Sequence, residues 1–182
     1  MNYYTADLHF GHVNCIRHDS RPFHNIEEMD RVLIENWNNW NNRVTNNDDV
    51  YIAGDLIYKS NKSAEWYLKQ LKGRKHLIIG NHDKTVLNSA EARKYFESID
   101  KMTHVVDKGR QIHICHFPIT EWNGMFRGSY HIFAHIHNNT NDTYYFMKNR
   151  EKALNAGCMI NNYMPVTFDE LIKNNKIFRE EH

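Results

Sequence analysis

Residues 50–83 read VYIAGDLIYKSNKSAEWYLKQLKGRKHLIIGNHD and contain two short apolar runs separated by an amphipathic stretch. The runs at 50–53 and 76–79 are typical of buried strands. Between them, residues 63–71 place Ala, Tyr and Leu side chains on one helical face. A strand, a helix and a second strand in this order predict a parallel βαβ unit.

The rest of the first half continues this alternation. Residues 1–8 read as a strand, and a helix begins at Asn25, which can form a capping box with Glu28. A further helical stretch is expected after residue 83, through about residue 96. The helix from Asn25 carries an apolar stripe at three- and four-residue spacing, made of Ile26, Met29, Leu33, Trp37, Trp40 and Val44. The alternation predicts an α/β sandwich with a largely parallel core sheet.

The second half reads mainly as short strands, followed by one closing helix. The helix is indicated by a capping box between Thr167 and Glu170. No repeat or linker divides the chain, so we expect a single domain spanning residues 1–182. The predicted strands are residues 99–107, 110–115, 130–134, 143–147 and 153–158.

Bulk composition narrows the class of protein. The 23 Lys and Arg residues nearly balance the 22 Asp and Glu residues, so no net charge favours nucleic acid or a membrane surface. Three cysteines without CxxC spacing, and an opening without a secretory pattern, favour a reducing compartment. No apolar run approaches the roughly 18 residues of a membrane span. We therefore expect a soluble, cytoplasmic protein.

Polar clusters stand at the ends of five predicted strands. Because ligands bind beyond the carboxyl ends of strands in α/β sheets, these clusters are expected to converge. They offer carboxylate, imidazole and amide ligands. This set suits divalent metals such as Mn, Fe(II) or Zn and does not indicate a structural thiolate zinc site. The clusters are DLH at 7–9, GD at 54–55, GNHD at 80–83, CH at 115–116 and AHIH at 134–137.

The spacing within two clusters has a physical reason. Alternate residues of an extended strand point the same way, so Asp7 and His9, and likewise His135 and His137, can aim two donors at one site. A single pair of this kind is more often structural, and Asp55 alone would more often cap a turn. Five such clusters in order indicate a metal centre.

The order of these clusters resembles the calcineurin-like metallophosphoesterase superfamily over residues 7–137. That resemblance implies a four-layer α/β/β/α sandwich with a dinuclear metal centre. It implies one ion held by Asp7, His9 and His137, a second held by Asn81, His116 and His135, and Asp55 as the bridging ligand. The opening TADLHFGHVN also resembles small bacterial and phage phosphoesterases.

The resemblance also implies a mechanism. Two divalent ions about 3.5 to 4 Å apart bind a bridging hydroxide that attacks phosphorus. His82 then protonates the leaving group, and the Asn81 amide stabilises the transition state. Asp83 either orients the His82 imidazole or caps the next helix. We expect manganese, with iron, zinc, nickel and magnesium as alternatives.

Three residues are candidates for substrate contacts, namely His12, Asn14 and Arg21, with an ordinary surface cation as the alternative for Arg21. The predicted activity is hydrolysis of a small phosphate mono- or diester, with nucleotides among the candidate substrates. The alternatives are a nuclease of the same fold and a catalytically silent metal-binding interaction module. No membrane partner is expected, nucleic acid is disfavoured, and the oligomeric state is left open.

Overall fold

The computed structural model describes residues 1–38 and 43–182, where the strands form two sheets flanked by helices. The strands are β1 Asn2–Thr5, β2 Asp49–Ile52, β3 Arg74–Ile78, β4 Phe96–Asp100, β5 Met102–Asp107, β6 Arg110–Cys115, β7 Tyr130–Phe133, β8 Ala153–Asn155 and β9 Val166–Thr167. The helices are α1 Val13–His18, α2 Ile26–Asn38, α3 Ala64–Leu68, α4 Lys84–Leu87, α5 Ala90–Arg93, α6 Asp142–Lys148 and α7 Phe168–Glu181. Short 3-10 helices lie at Met125–Arg127 and Cys158–Asn161.

The first sheet has the strand order β4-β3-β2-β1-β9, and the second has the order β5-β6-β7-β8. Strands β1 to β4 are parallel, which confirms the predicted parallel core, and β9 adds an antiparallel edge. In the second sheet β6, β7 and β8 are parallel, and β5 pairs antiparallel with β6. A bridge between Ala6 and Gly157 joins the segments that follow β1 and β8.

Side-chain alternation along the strands fills separate cores. Tyr3 packs into the core beneath α2 and α3, whereas its neighbour Tyr4 lies in the core between the two sheets. In the same way, Ile132 of β7 faces the other sheet and Phe133 packs on the outer side against α6. The layers are therefore helix, sheet, sheet and helix, and the expected α/β sandwich is confirmed.

The predicted strand at 143–147 is wrong, because these residues form helix α6. The side chain of Asn141 accepts a hydrogen bond from the backbone of Tyr144 at 3.0 Å and caps the helix. Tyr144 and Met147, one turn apart, are both buried against the outer face of the second sheet. The aromatic run suggested a strand, but the cap and the burial on one helical face favour the helix.

Several predicted boundaries also differ. The stretch 99–107 is two strands separated at Lys101, and the helix expected through residue 96 is two single-turn helices followed by β4. The strand from Ala153 ends at Asn155. The closing helix and its Thr167–Glu170 capping box are confirmed. Trp40, placed on the helical stripe by its spacing, lies outside the described residues.

Within residues 1–38 and 43–182, no helix combines the length and the apolar character needed to cross a bilayer.

Candidate metal centre

The predicted ligands lie on segments that follow strands of both sheets. The segments that follow β1 and β2 are tied together by the main chain, because the Asp7 N–H donates to Gly54 O and the His9 N–H donates to Asp55 O, both at 3.0 Å. The side chains brought together come after β1 (Asp7 and His9), β2 (Asp55), β3 (Asn81), β6 (His116) and β7 (His135 and His137).

Asp7, His9 and His137 form one group whose ligand atoms all lie within 4.8 Å of one another. Nε2 of His9 is 3.2 Å from Nε2 of His137. Two ligands of one ion at metal–nitrogen distances of about 2.1 Å lie about 3.0 to 3.4 Å apart, depending on the coordination angle. The two imidazoles therefore stand at the separation that a shared ion requires.

Asn81, His116 and His135 form the other side of the centre. The amide oxygen of Asn81 lies 3.0 Å from Nε2 of His116 and 3.0 Å from Nδ1 of His135. His116 is fully buried, whereas Asn81 and His135 are exposed. The second side of the centre is thus open to solvent, while Asp7 and His9 on the first side are buried.

Two carboxylates connect the two sides. Oδ2 of Asp55 lies 3.7 Å from Nε2 of His9 and 3.6 Å from Nε2 of His116. Asp7 also groups with Asp55 and His116, with ligand atoms within 4.8 Å of one another. Asp55, the residue expected to bridge, therefore lies near ligands of both sides. Asp7 likewise groups with ligands of both sides.

The backbone at the centre is strained. Five of the seven predicted ligands have left-handed φ angles, a region that residues other than glycine rarely adopt. Such conformations persist only where the surrounding structure compensates for them, and they concentrate at functional sites. The φ angles are 53° at Asp7, 52° at His9, 55° at Asp55, 72° at His135 and 54° at His137.

Two glycines allow close approach of the chain to these ligands. A Cβ atom at Gly54, where φ is +91°, would lie 2.4 Å from Nδ1 of His116. A Cβ atom at Gly80 would lie 2.3 Å from Oδ1 of Asp55. Both separations are far below van der Waals contact, so any side chain here would displace a ligand.

Hydrogen bonds set the orientation of two histidines. Nδ1 of His116 lies 2.7 Å from the carbonyl oxygen of Ala53, and Nδ1 of His137 lies 2.8 Å from Oδ1 of Asp19. With Nδ1–H donating, each ring presents the lone pair of Nε2 to the centre, which is the usual arrangement for metal-binding histidines. Asp19 was missed from the sequence because no spacing relates it to His137.

Arg21 corrects a prediction. It is neither a substrate contact nor a surface cation, because its side chain is buried beneath the centre. The guanidinium donates to the carbonyl oxygens of Asp7 at 2.9 Å and Leu8 at 2.8 Å, and to Oδ2 of Asp19 at 2.9 and 3.0 Å. Arg21 therefore holds the strained segment that carries the first ligands.

Asp83 stands at the N-cap position of α4, but its side chain has a role different from both predictions. Its buried carboxylate accepts hydrogen bonds from the backbone N–H groups of Gly80, Asp55 and Leu56 at 2.7, 3.0 and 2.9 Å. It makes no side-chain cap bond to α4, and no hydrogen bond joins it to the His82 ring among the described contacts. Asp83 thus fixes the backbone of Asp55.

His82 lies beside the centre, where its backbone N–H donates to Oδ1 of Asp55 at 2.8 Å. Its ring centroid lies 4.0 Å from that of Tyr58 and 5.5 Å from that of His9. The His12 ring also packs against Tyr58, at 4.8 Å between centroids, whereas Asn14 is exposed on α1. Tyr58 is a further neighbour that the sequence did not single out.

The charge balance of the centre calls for a cation. Asp7 is fully buried, and its Oδ1 has no hydrogen-bond partner among the described residues. Burial raises the pKa of its carboxyl to about 6. The other oxygen, Oδ2, accepts from the His135 N–H at 3.1 Å. A buried carboxylate with one free oxygen, a second buried carboxylate and nearby imidazole nitrogens are the donors that a divalent cation binds. These Asp and His residues could therefore hold metal ions.

Comparison with known proteins places the chain among uncharacterized relatives. No family model matches it. The protein of unknown function AQ665 from Aquifex aeolicus shares its fold, with a TM-score of 0.73 and 26% identity covering 95% of this chain and 98% of that one. The nuclease MPE of Pseudomonas putida is more distant, with a TM-score of 0.40 and 19% identity covering 75% of this chain and 60% of that one. The uncharacterized protein MJ1445 of Methanocaldococcus jannaschii is 35% identical over 173 residues, covering 94% of this chain and 89% of that protein. This chain belongs to the same protein family as MJ1445 of M. jannaschii.

Proposed function

We propose that this protein is a metal-dependent hydrolase of phosphate esters, of the calcineurin-like metallophosphoesterase type, that works with two divalent ions. The observation that supports it best is the position of the Asp55 carboxylate, with Oδ2 at 3.7 Å from Nε2 of His9 and 3.6 Å from Nε2 of His116. A carboxylate between two sets of nitrogen donors is what a pair of adjacent cations requires.

The proposed ligand sets follow the two sides of the centre. When bound, two divalent ions supply Lewis acidity toward phosphoryl oxygens and lower the pKa of water in the site. The oxygen and nitrogen donors suit Mn, Fe or Zn, and manganese is our first choice. Asp7, His9 and His137 would hold one ion, Asn81, His116 and His135 the other, and Asp55 would contact both.

The proposed general acid is His82. Its ring is only partly exposed, and its backbone N–H is bound to Asp55, so the imidazole stands at the edge of the centre. A histidine that gives a proton to a departing alkoxide must reach the leaving-group oxygen from such a position. The ring of Tyr58 packs against it and limits the directions in which it can point.

The test measures metal content and turnover on the same protein. Protein reconstituted with manganese is analysed for bound metal and assayed with p-nitrophenyl phosphate, its bis ester, nucleotides and cyclic nucleotides. We expect close to two ions per chain and metal-dependent release of product from at least one ester. Fewer than one ion per chain would contradict the dinuclear centre. Full metal uptake without turnover of any ester would instead identify a binding module.

A further inference from the structure

An aromatic ring stands at the open side of the centre, where Phe117 immediately follows the ligand His116. Its ring centroid lies 4.9 Å from that of His116 and 4.7 Å from that of His135. Yet the side chain is 45% exposed. The ring therefore packs against two proposed ligands on one side and presents apolar surface to solvent on the other.

The backbone that carries Phe117 is held in place. Pro118 follows it, which restricts Phe117 to extended backbone conformations. One residue further, the N–H of Ile119 donates to Nε2 of the fully buried His131 at 3.2 Å. Since the two residues that follow Phe117 are constrained, the backbone that carries the ring is pre-organised.

Access to the centre is also one-sided. Asp7 and His9 are buried, whereas Asn81 and His135 are exposed, so a substrate reaches the centre over the side on which Phe117 stands. An exposed, rigid aromatic ring at that side offers a flat apolar face to a planar group. Stacking on such a ring is tolerant of which base is bound, because every nucleobase has a π face.

We propose that Phe117 is a specificity-determining residue that stacks a planar aromatic group of the substrate, as in the base of a nucleotide, while the phosphoester occupies the metal centre. This inference rests on the proposed function, and it adds the substrate class. Loss of base stacking on alanine substitution corresponds to about 10- to 100-fold in affinity.

The kinetic test uses two matched pairs of substrates that differ only in the base. They are thymidine 5′-monophosphate with 2-deoxyribose 5-phosphate, and the methyl diesters of both. We expect the full-length, metal-loaded protein to prefer the thymidine member of the pair it hydrolyses. Phe117→Ala should lower kcat/KM for that member about 10- to 100-fold more than for the base-free member.

Three further variants separate stacking from bulk. Phe117→Trp should keep the preference, and Phe117→Leu, which keeps apolar bulk without a π face, should lose most of it. Phe126→Ala is the matched control, because Phe126 is 85% exposed on the short 3-10 helix Met125–Arg127 and forms no aromatic pair with a proposed ligand among the described residues. A preference that survives Phe117→Ala, or an equal loss for both members of a pair, overturns the inference.

A binding measurement gives a readout besides turnover. In zinc-loaded protein, the ring resonances of Phe117 should shift on addition of thymidine 5′-monophosphate and stay in place with 2-deoxyribose 5-phosphate. If neither substrate pair is hydrolysed, the ring shift alone decides the stacking site. The proposed function itself fails only if the esters of the wider panel are not hydrolysed either. Hydrolysis combined with an unshifted Phe117 ring overturns the stacking site and leaves the hydrolase intact.

Discussion

Nδ1 of His137 lies 2.8 Å from Oδ1 of Asp19, across 118 residues of sequence. The other oxygen of Asp19 accepts from Arg21, whose guanidinium also holds the carbonyl oxygens of Asp7 and Leu8. Burial raises the pKa of Asp19, but the hydrogen bonds from His137 and Arg21 outweigh it, and the net pKa lies below the ordinary value. The Asp19 carboxylate thus orients the proposed ligand His137 and pairs with Arg21, the cation that holds the segment carrying Asp7.

Asp19→Asn should weaken metal binding by about 10- to 100-fold, since partners behind metal-binding histidines have effects of this size. It should also lower the free energy of unfolding, because the buried Arg21 loses its counterion. Manganese affinity measured by isothermal titration calorimetry checks the first effect. The control is Asp142→Asn, an exposed carboxylate on α6. Equal affinities in the two variants would contradict the role of Asp19.

Gly80→Ala should lower the number of bound manganese ions, because the added Cβ would lie 2.3 Å from Oδ1 of Asp55 and must displace that carboxylate. Metal analysis after reconstitution measures the loss. Gly109→Ala is the control, since its Cβ meets nothing within 4 Å although its φ of +79° makes alanine strained. If both variants bind metal like the wild type, the close contact at Gly80 does not matter.

His82→Ala should slow hydrolysis of esters with poor leaving groups by about 10²- to 10⁴-fold, as expected for loss of a general acid. Esters of p-nitrophenol should be affected far less, because p-nitrophenolate is a leaving group that departs without being protonated. Metal uptake should persist, because His82 binds Asp55 through its backbone N–H, which alanine retains. A parallel loss of metal and of both activities would show that His82 is structural.

Asp7→Asn should abolish the stabilisation that manganese provides and should raise the free energy of unfolding of the metal-free protein at pH 8. The physical reason is that Oδ1 of Asp7 is a buried, unpartnered acceptor whose negative charge costs free energy until a cation arrives. Thermal unfolding with chelator and with manganese separates the two effects. A metal-free variant less stable than the metal-free wild type would count against this account.

Stability should fall as the pH drops from about 6.5 to 4, partly through His131. Burial lowers the pKa of this histidine to about 4. In the unfolded chain its pKa is the ordinary value of about 6.5. Between pH 6.5 and 4 the unfolded chain therefore binds a proton that the folded chain does not, so this contribution to stability is full above pH 6.5 and declines below it. The contribution is on the order of 3 kcal/mol.

The measurement is urea unfolding across this pH range for the wild type and His131→Gln. The free-energy difference between the two should shrink as the pH falls. Parallel curves for the wild type and His131→Gln would show that His131 does not titrate as described.

Most of the fold could be predicted because its signals are local. The apolar run at 50–53, the one at 76–79 and the Thr167 capping box each depend on neighbouring residues, and the structure contains the strands and the helix they indicate. The stretch 143–147 could not be assigned correctly, because its aromatic run favours a strand and the burial of Tyr144 and Met147 beside Phe133, which favours the helix, arises only in tertiary packing.

The sequence by itself determined which side chains end successive strands, and hence the ligand types that meet at one edge of the sheets. That follows because strand propensity and turn chemistry act within a few residues. Only the tertiary structure decided what supports and surrounds those ligands. Asp19 behind His137, Arg21 beneath the first ligands and Phe117 at the open side are defined by contacts between segments distant along the chain or by solvent exposure. Such relationships have no period or spacing in the sequence and arise only when the layers pack.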